Sequence, residues 1–246
     1  MTGSQARLPP LEIIALFTGD APRLNKRGQL PRGPRNDVPS QARAVTAAEV
    51  ALARYLARPA QPLTASERAA AEAARGALWW RCDAAADPQV RLRAGARWIA
   101  RMQQIGAVAI LLPAARKILG PTALTPALPA LHVDPDAWLT LFVQQYALFD
   151  EGSAWCHTHG MEHFGLPDLE CRTAAGDLPR AERLIQAAID HLLASGAGGL
   201  AVGQVVDAVE SDGSGSIRFR VAPATEVPGH EYGPCGTLQL VPEPTH

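Results

Sequence analysis

The sequence predicts an α+β fold: a mixed β-sheet with helices packed against it, assembled from β-α-β units and β-hairpins. Three observations carry this expectation. Short apolar runs of strand type alternate with longer segments of helical period. Helix-start signatures recur along the chain, and Gly- and Pro-rich stretches punctuate it. The 246 residues are 47% hydrophobic and 19% charged, far from a disordered composition and sufficient for a sizeable core.

The elements follow in order. Residues 8–17, LPPLEIIALF, end in a strand-like run, and residues 18–45, rich in Pro, Gly, Arg and Asn, read as a loop or mobile linker. Thr46-Ala-Ala-Glu49 is a capping box opening a helix that closes near residue 58, before Pro59. A second box, Thr64-Ala-Ser-Glu67, opens an Ala-rich helix ending at Gly76, and ALWWRC at 77–82 reads as a strand. Asp87-Pro88 supplies a cap and a first-turn proline for the next helix. That helix sets Val90, Ala94, Trp98 and Ile105 on one side and Arg93, Arg97 and Arg101 on another, with Gly106 as its natural stop. AVAILL at 107–112 reads as a buried strand, making residues 77–112 a β-α-β unit. The proline-rich residues 113–137 read mostly as loop, followed by a short helix carrying Trp138, Leu141 and Phe142.

Strands at 144–149 and 153–159 flank the turn Asp150-Glu151-Gly152, and another strand is expected at 167–173. A helix at 179–194 turns Leu184, Ile185, Ala188, Leu192 and Leu193 inward. SGAGGLAVG at 195–203 lacks the GK[ST] ending of a phosphate loop and follows a helix, not a strand. Residues 204–222 alternate around SDGSGS as a hairpin, and a last short strand closes the chain. An N-terminal strand and Pro/Arg-rich loop, 1–45, thus precede an α+β domain over 46–246, either undivided or built of two similar halves, 46–133 and 134–246.

Composition bounds function. No run of about 18 uncharged apolar residues exists, so no membrane span is expected. The apolar run in MTGSQARLPPLEIIALF is broken by Glu12, so a secretion signal is not expected and a cytoplasmic address is. Cys82, Cys156, Cys171 and Cys235 form no CxxC pair, which excludes zinc ribbons and thioredoxin-like motifs and favours buried free thiols. The formal net charge of -1 hides a division: residues 1–133 carry 18 basic and 8 acidic side chains, residues 134–246 carry 5 and 16. All the basic residues but Lys26 and Lys117 are arginines. With no interleaved aromatics and no recognisable module, nucleic acid is not the expected partner.

One segment carries candidate chemistry, WCHTHGMEHFGLPDLE at 155–170. On a strand, His157 and His159 share a face and their imidazoles can share a metal, zinc foremost, with His163 a short turn away. Glu162, Asp168 and Glu170 are candidate third ligands or general bases, and Cys156 and Cys171 candidate soft ligands. His230 and Cys235, in GHEYGPCG, are candidates to approach the same place. The HxHxDH pattern of metallo-β-lactamases fails, because Met161 and Glu162 stand where it needs Asp and His. The segment is more similar to the HxHP metalloprotease pattern of the JAMM family. There too Gly160 replaces the Pro, Glu170 replaces the Asp, and the Ser is missing. The alternative is structural: both histidines hydrogen-bonded in a strand, Gly160 and Gly165 shaping the turn around Phe164, and Pro167 entering an edge strand.

HTHGMEHFGLPDLE also resembles the THG[ML]xxFGxP[DE]LE signature of a family of uncharacterised bacterial proteins with a domain of unknown function. The matching positions are Thr158, Gly160, Met161, Phe164, Gly165, Pro167, Asp168, Leu169 and Glu170, and the resemblance extends over most of residues 45–222. It implies an α+β bacterial cytosolic domain and carries no catalytic residue with it. The leading expectation is therefore a non-enzymatic protein that binds a protein partner, as an accessory or immunity-like module. The alternative is a metal-dependent hydrolase built on His157 and His159. A third expectation is an anionic ligand held by Arg93, Arg97 and Arg101.

Overall fold

The computed structural model describes residues 9–24, 40–44, 63–82, 87–134, 136–195, 199–209, 215–225 and 233–243. The helix expected over 46–58, most of the expected linker, the centre of the SDGSGS turn and His230 lie outside them. The fold is α+β, in two units, Met1–Gln144 and Gln145–His246. The charge division follows these units: 18 basic against 10 acidic residues in the first, 5 against 14 in the second, with Asp134 and Asp136 in the first.

In the first unit, β1 (Leu11–Phe17), β2 (Ser40–Ala44), β3 (Gly76–Cys82), β4 (Ala109–Leu112) and β5 (Lys117–Leu119) form one sheet in the order β2-β3-β1-β4-β5. Each neighbouring pair is antiparallel. β1 is the central strand of this sheet, not an appended N-terminal segment. Ser40–Ala44, expected as loop, pairs with β3. Pairing partners distant in sequence decide both outcomes, and neither leaves a local signature. The expected β-α-β unit exists in split form: β3 and β4 run parallel to each other with β1 between them.

Helices cover both faces of the sheet. α1 (Ala65–Glu72) carries the Thr64–Glu67 capping box and packs small residues, Ala71 and Ala74, against Leu16, Ala77, Ala109, Leu111 and Ile118. It stops before Gly76, which lies within β3. α2 (Pro88–Gln104), capped by Asp87 and followed by Gly106 at φ +89, lies on the face of Leu11 and Ile13. A Cβ on Gly95 would stand 2.9 Å from Leu11 Cδ2, so this position brings the helix close to β1. Trp98 stacks on Trp80 with centroids 6.0 Å apart. Ala94 and Trp98 are buried as expected, but Val90 is exposed and Ile105 only half-buried, because the buried face is centred on Leu92, Gly95, Ile99 and Met102.

Residues 113–137 are not mostly loop. They form β5, α3 (Pro121–Ala130) and the start of α4 (Asp136–Phe142). Pro121 occupies the first helical position, where no N–H is needed, and tertiary contacts through Leu124 tolerate Pro126 and Pro129 inside. Glu67 ties two helices together. Its carboxylate accepts from Thr64 N at 2.9 Å, completing the α1 box, and from Thr122 N at 2.7 Å, in the first turn of α3. Lys117 is buried, and its Nζ donates to the carbonyls of Thr140 and, at 3.0 Å, Val143, which end α4.

The second unit is a six-stranded mixed sheet in the order β6-β7-β8-β11-β10-β9. It comprises β6 (Gln144–Asp150), β7 (Ser153–His159), β8 (Asp168–Ala174), β9 (Val205–Val209), β10 (Ser216–Pro223) and β11 (Thr237–Pro242). β8 and β11 are parallel, while β7–β8, β10–β11 and β9–β10 are antiparallel. β8 is thus an interior strand, and Pro167 enters the middle of the sheet. α5 (Leu178–Ser195) lies on one face, with Leu184, Ile185, Ala188 and Leu192 buried and Leu193, expected inward, exposed. Strand alternation sends Cys156, Leu169, Cys171, Ile217, Phe219 and Val221 to buried positions on that side. No helix among the described residues is long and apolar enough to cross a membrane.

Candidate functional site

The β6–β7 turn has two central residues with positive φ, Glu151 at 35° and Gly152 at 87°. That is the two-residue hairpin geometry whose twist suits antiparallel strands, and it folds Tyr146 back onto β7. Tyr146 stacks on His157 and meets His159 edge-on, each at 5.4 Å. Trp155, two residues before His157 on the same face, stacks on it at 4.3 Å. His157 therefore stacks against two aromatic rings. His159 meets it edge to face, centroids 4.9 Å apart and planes at 87°.

Glu170, opposite His157 in the register, is fully buried. One oxygen accepts from Trp155 Nε1 at 3.1 Å and the other from Thr225 N at 3.1 Å. Each oxygen of Glu170 is thus engaged by the fold. Arg172, the next outward residue on that face, sits over the Trp155 ring at 5.5 Å.

The turn between β7 and β8 is built by a side-chain clip. Thr158 Oγ1 accepts from Leu169 N at 2.9 Å and donates to Asp168 Oδ1 at 3.2 Å; the same Oδ1 accepts from Met161 N at 3.2 Å. Gly160 and Gly165 bracket the 3-10 turn Met161–Phe164 at φ +101 and +74, a conformation costly for any residue with a Cβ. Met161 and Leu169 are fully buried. Thr158, Gly160, Met161, Gly165, Asp168 and Leu169 thus build this corner.

The structure brings Glu162 and Asp168 together. A Cβ on Gly233 would lie 2.7 Å from Glu162 Oε2 and 3.1 Å from Asp168 Oδ2. The turn Gly233–Gly236, closed by Gly236 N to Gly233 O at 2.9 Å, binds Asp168 N through Gly236 O at 3.0 Å. The turn that holds Cys235 therefore does reach this corner. His159 Nδ1 stands 4.0 Å from Asp168 Oδ2, a contact too long for a hydrogen bond. His163 is buried in the 3-10 turn. All six candidates, His157, His159, Glu162, His163, Asp168 and Glu170, are at most 8% exposed.

Among the described residues, no group of three His, Cys, Asp or Glu side chains is placed to hold a metal ion. Ring stacking explains the outcome for His157 and His159: the shared strand face that suggested a common ligand instead packs them against Trp155 and Tyr146. Sequence reasoning singled out neither Tyr146 nor Thr225. The hairpin register carries Tyr146 to His157 and was legible; Thr225 N, a backbone group after β10, had no signal. Cys156 and Cys171, expected as buried thiols, are free and face each other across β7 and β8. Burial pushes the Cys171 thiol up to about 12, with Cys156 beside it adding to the shift; burial raises Cys156 too, against a hydrogen bond from Gln145.

Arg93, Arg97 and Arg101 belong to the other unit; Arg93 and Arg97 are exposed on α2, and Arg101 is half-buried with its Nε shielded from solvent. Arg93 donates to Gln89 at 3.4 Å and Arg101 to Gln104 at 3.2 Å. Among the described residues none of the three pairs with a carboxylate, and α2 contains no acidic residue. No family model, no curated protein and no solved structure matches this chain.

Proposed function

We propose that this chain is a non-enzymatic binding protein, an accessory or immunity-like module that meets an acidic protein partner through the arginine stripe of α2. The observation that carries the reading is the absence of any carboxylate beside Arg93, Arg97 and Arg101 among the described residues. Successive arginines are one turn, about 6 Å, apart along the helix. Like charges at that spacing destabilise a helix by roughly 0.2–0.5 kcal/mol per pair. A carboxylate-bearing partner relieves that repulsion. The candidate acid and imidazole groups of the second unit, by contrast, are buried, and Asp168 bonds Thr158 and Met161 in the β7–β8 corner. Membership in the bacterial family and a cytoplasmic address belong to the same reading; four free cysteines fit a reducing compartment.

The test is binding of fluorescently labelled poly-L-glutamate, followed by anisotropy at two salt concentrations, by the intact chain and by Arg93→Glu/Arg97→Glu/Arg101→Glu. Three surface ion pairs, at exposed Arg93 and Arg97 and half-buried Arg101, at about 0.2–1 kcal/mol each give roughly 3- to 150-fold weaker binding in the variant, and affinity falls with salt. Binding that ignores salt or the triple substitution overturns the assignment of this face. Metal content of untagged protein, beside His157→Ala/His159→Ala, tests the hydrolase alternative. One transition metal per chain, lost in the double variant, would replace the binding reading with metal-dependent hydrolysis.

A further inference from the structure

We infer that Cys156 and Cys171 are a covalent modification site: a thiol pair that closes into a disulfide across β7 and β8. The two residues are direct partners in the antiparallel register, so both side chains leave the sheet on the same face. Both are free thiols with no solvent exposure. Their Cβ atoms, as facing antiparallel partners, stand about 4.5–5.5 Å apart, and a disulfide needs roughly 3.5–4.5 Å. Closure therefore takes a shift of about 1 Å, within the range of strand breathing. Neither cysteine belongs to the Thr158–Asp168 clip, and the face they share is the α5 side. Glu182 and Arg180, from the first turns of α5, act on their charge.

The position of the pair gives the bond a consequence. Cys156 immediately precedes His157 and Cys171 immediately follows Glu170, so every histidine and carboxylate of the candidate site lies in the loop that the disulfide would close. Wide sequence spacing hid this, since the pair exists only once β7 and β8 align.

The chemistry is exchange with a low-molecular-weight disulfide, RSSR. The Cys156 thiolate, which Gln145 Nε2 reaches at 3.3 Å, attacks one sulfur of RSSR, forming a mixed disulfide and expelling RS⁻. Cys171 loses its proton and attacks the Cys156 sulfur, expelling a second RS⁻. The two protons released by the cysteines end on the two RS⁻, so two protein thiols are oxidised and one RSSR is reduced to two RSH. Burial makes the first step slow in the closed fold, and local opening of α5 from the face the two cysteines share admits the oxidant.

The experiment treats the full native chain with oxidised glutathione and reads intact mass, non-reducing peptide maps and thermal unfolding. Cys235, half-exposed, reports that the oxidant is active. The expected result is a Cys156–Cys171 cross-linked peptide, with loss of ~2 Da at that pair and no retained glutathione on it. The melting temperature of the second unit should rise by at least about 5 °C, revert with dithiothreitol, and stay unmoved in Cys171→Ala and in Cys156→Ala. A stable glutathione adduct on either cysteine, a bridge from either to Cys235, or unreacted Cys156 and Cys171 while Cys235 is modified would each overturn the inference.

Discussion

Asp168 offers the sharpest test of whether the β7–β8 corner is a folding device. Replacing it with Ala removes the acceptor shared by Thr158 Oγ1 and Met161 N, both at 3.2 Å and both buried. Thr158 can rotate its hydroxyl elsewhere, so its loss costs about 0.5–1.5 kcal/mol. Met161 N cannot move, because Gly160 and the 3-10 turn fix it, and an orphaned buried amide costs about 1–3 kcal/mol. The sum, roughly 2–4 kcal/mol, corresponds to a fall of about 10–25 °C in the melting temperature of a unit near 100 residues. Asp168→Asn keeps an oxygen where Oδ1 stands and replaces Oδ2, which stands 4.0 Å from His159 Nδ1, with a neutral amide. Its expected cost is at most about 1 kcal/mol. Calorimetric unfolding of the three proteins, with the two units resolved as separate transitions, reads the difference. An alanine variant melting within a few degrees of the parent would refute the clip. An asparagine variant as unstable as the alanine one would mean that the charge, not the hydrogen bonds, holds the corner.

Three further outcomes follow from other places in the fold. Gly233→Ala drives a Cβ to 2.7 Å from Glu162 Oε2 and 3.1 Å from Asp168 Oδ2, so the second unit should lose about 1–3 kcal/mol in urea unfolding, with the first unit unmoved. At Glu67, burial pushes the carboxyl up, but hydrogen bonds from Thr122 and Thr64 outweigh it and hold it below its ordinary value. That stability is present above the unfolded value and is lost as pH falls through the folded one; Glu67→Ala should cost roughly 2–3 kcal/mol at neutral pH and flatten the acid limb of the first unit's stability curve. At Lys117, burial lowers the amine to about 8. Between that value and 10.5 the unfolded chain holds a proton that the folded one has released, so stability rises with pH, by at most about 3 kcal/mol over the interval. Subtracting the curve of Lys117→Met isolates this rise from the buried thiols of the second unit, whose raised values act in the opposite direction.

How much of this was legible in the sequence depends on whether the cause is local. The Thr64–Glu67 box, the Asp87-Pro88 start of α2, the turn at Glu151-Gly152 and the periodicity of α5 are local, and each stands where the residues put it. The first-turn role of Pro121 is local too, but counting prolines as loop-formers concealed it. The pairing of Ser40–Ala44 with β3 is not local, because it depends on an edge that residues near 80 provide. The candidate site divides in the same way. That His157 and His159 share a strand face follows from the period of two. What that face meets is decided by Tyr146 from β6 and by Thr225 from beyond β10.

The same division governs the histidine-rich segment, whose spacing is read along the chain and whose neighbours only in the fold. Two imidazoles on one face can converge on a metal only if their rings can turn toward a common point. Trp155 and Tyr146 both stack on the His157 ring, and His159 meets it edge to face. Glu170 accepts from an indole and a backbone amide, and Asp168 from a hydroxyl and another amide. Each acceptor bond to an N–H or O–H donor fixes a carboxylate that hydrolysis would need to orient toward a substrate. The arginines of α2 are the reverse case. Their spacing reads in one dimension as an ordinary solvated helix face, and only the fold shows that no carboxylate among the described residues comes to meet them. The proposed partner site at α2 and the proposed folding role of the β7–β8 corner therefore rest on one argument: whether the neighbours of a charged group in the fold supply its counterpart.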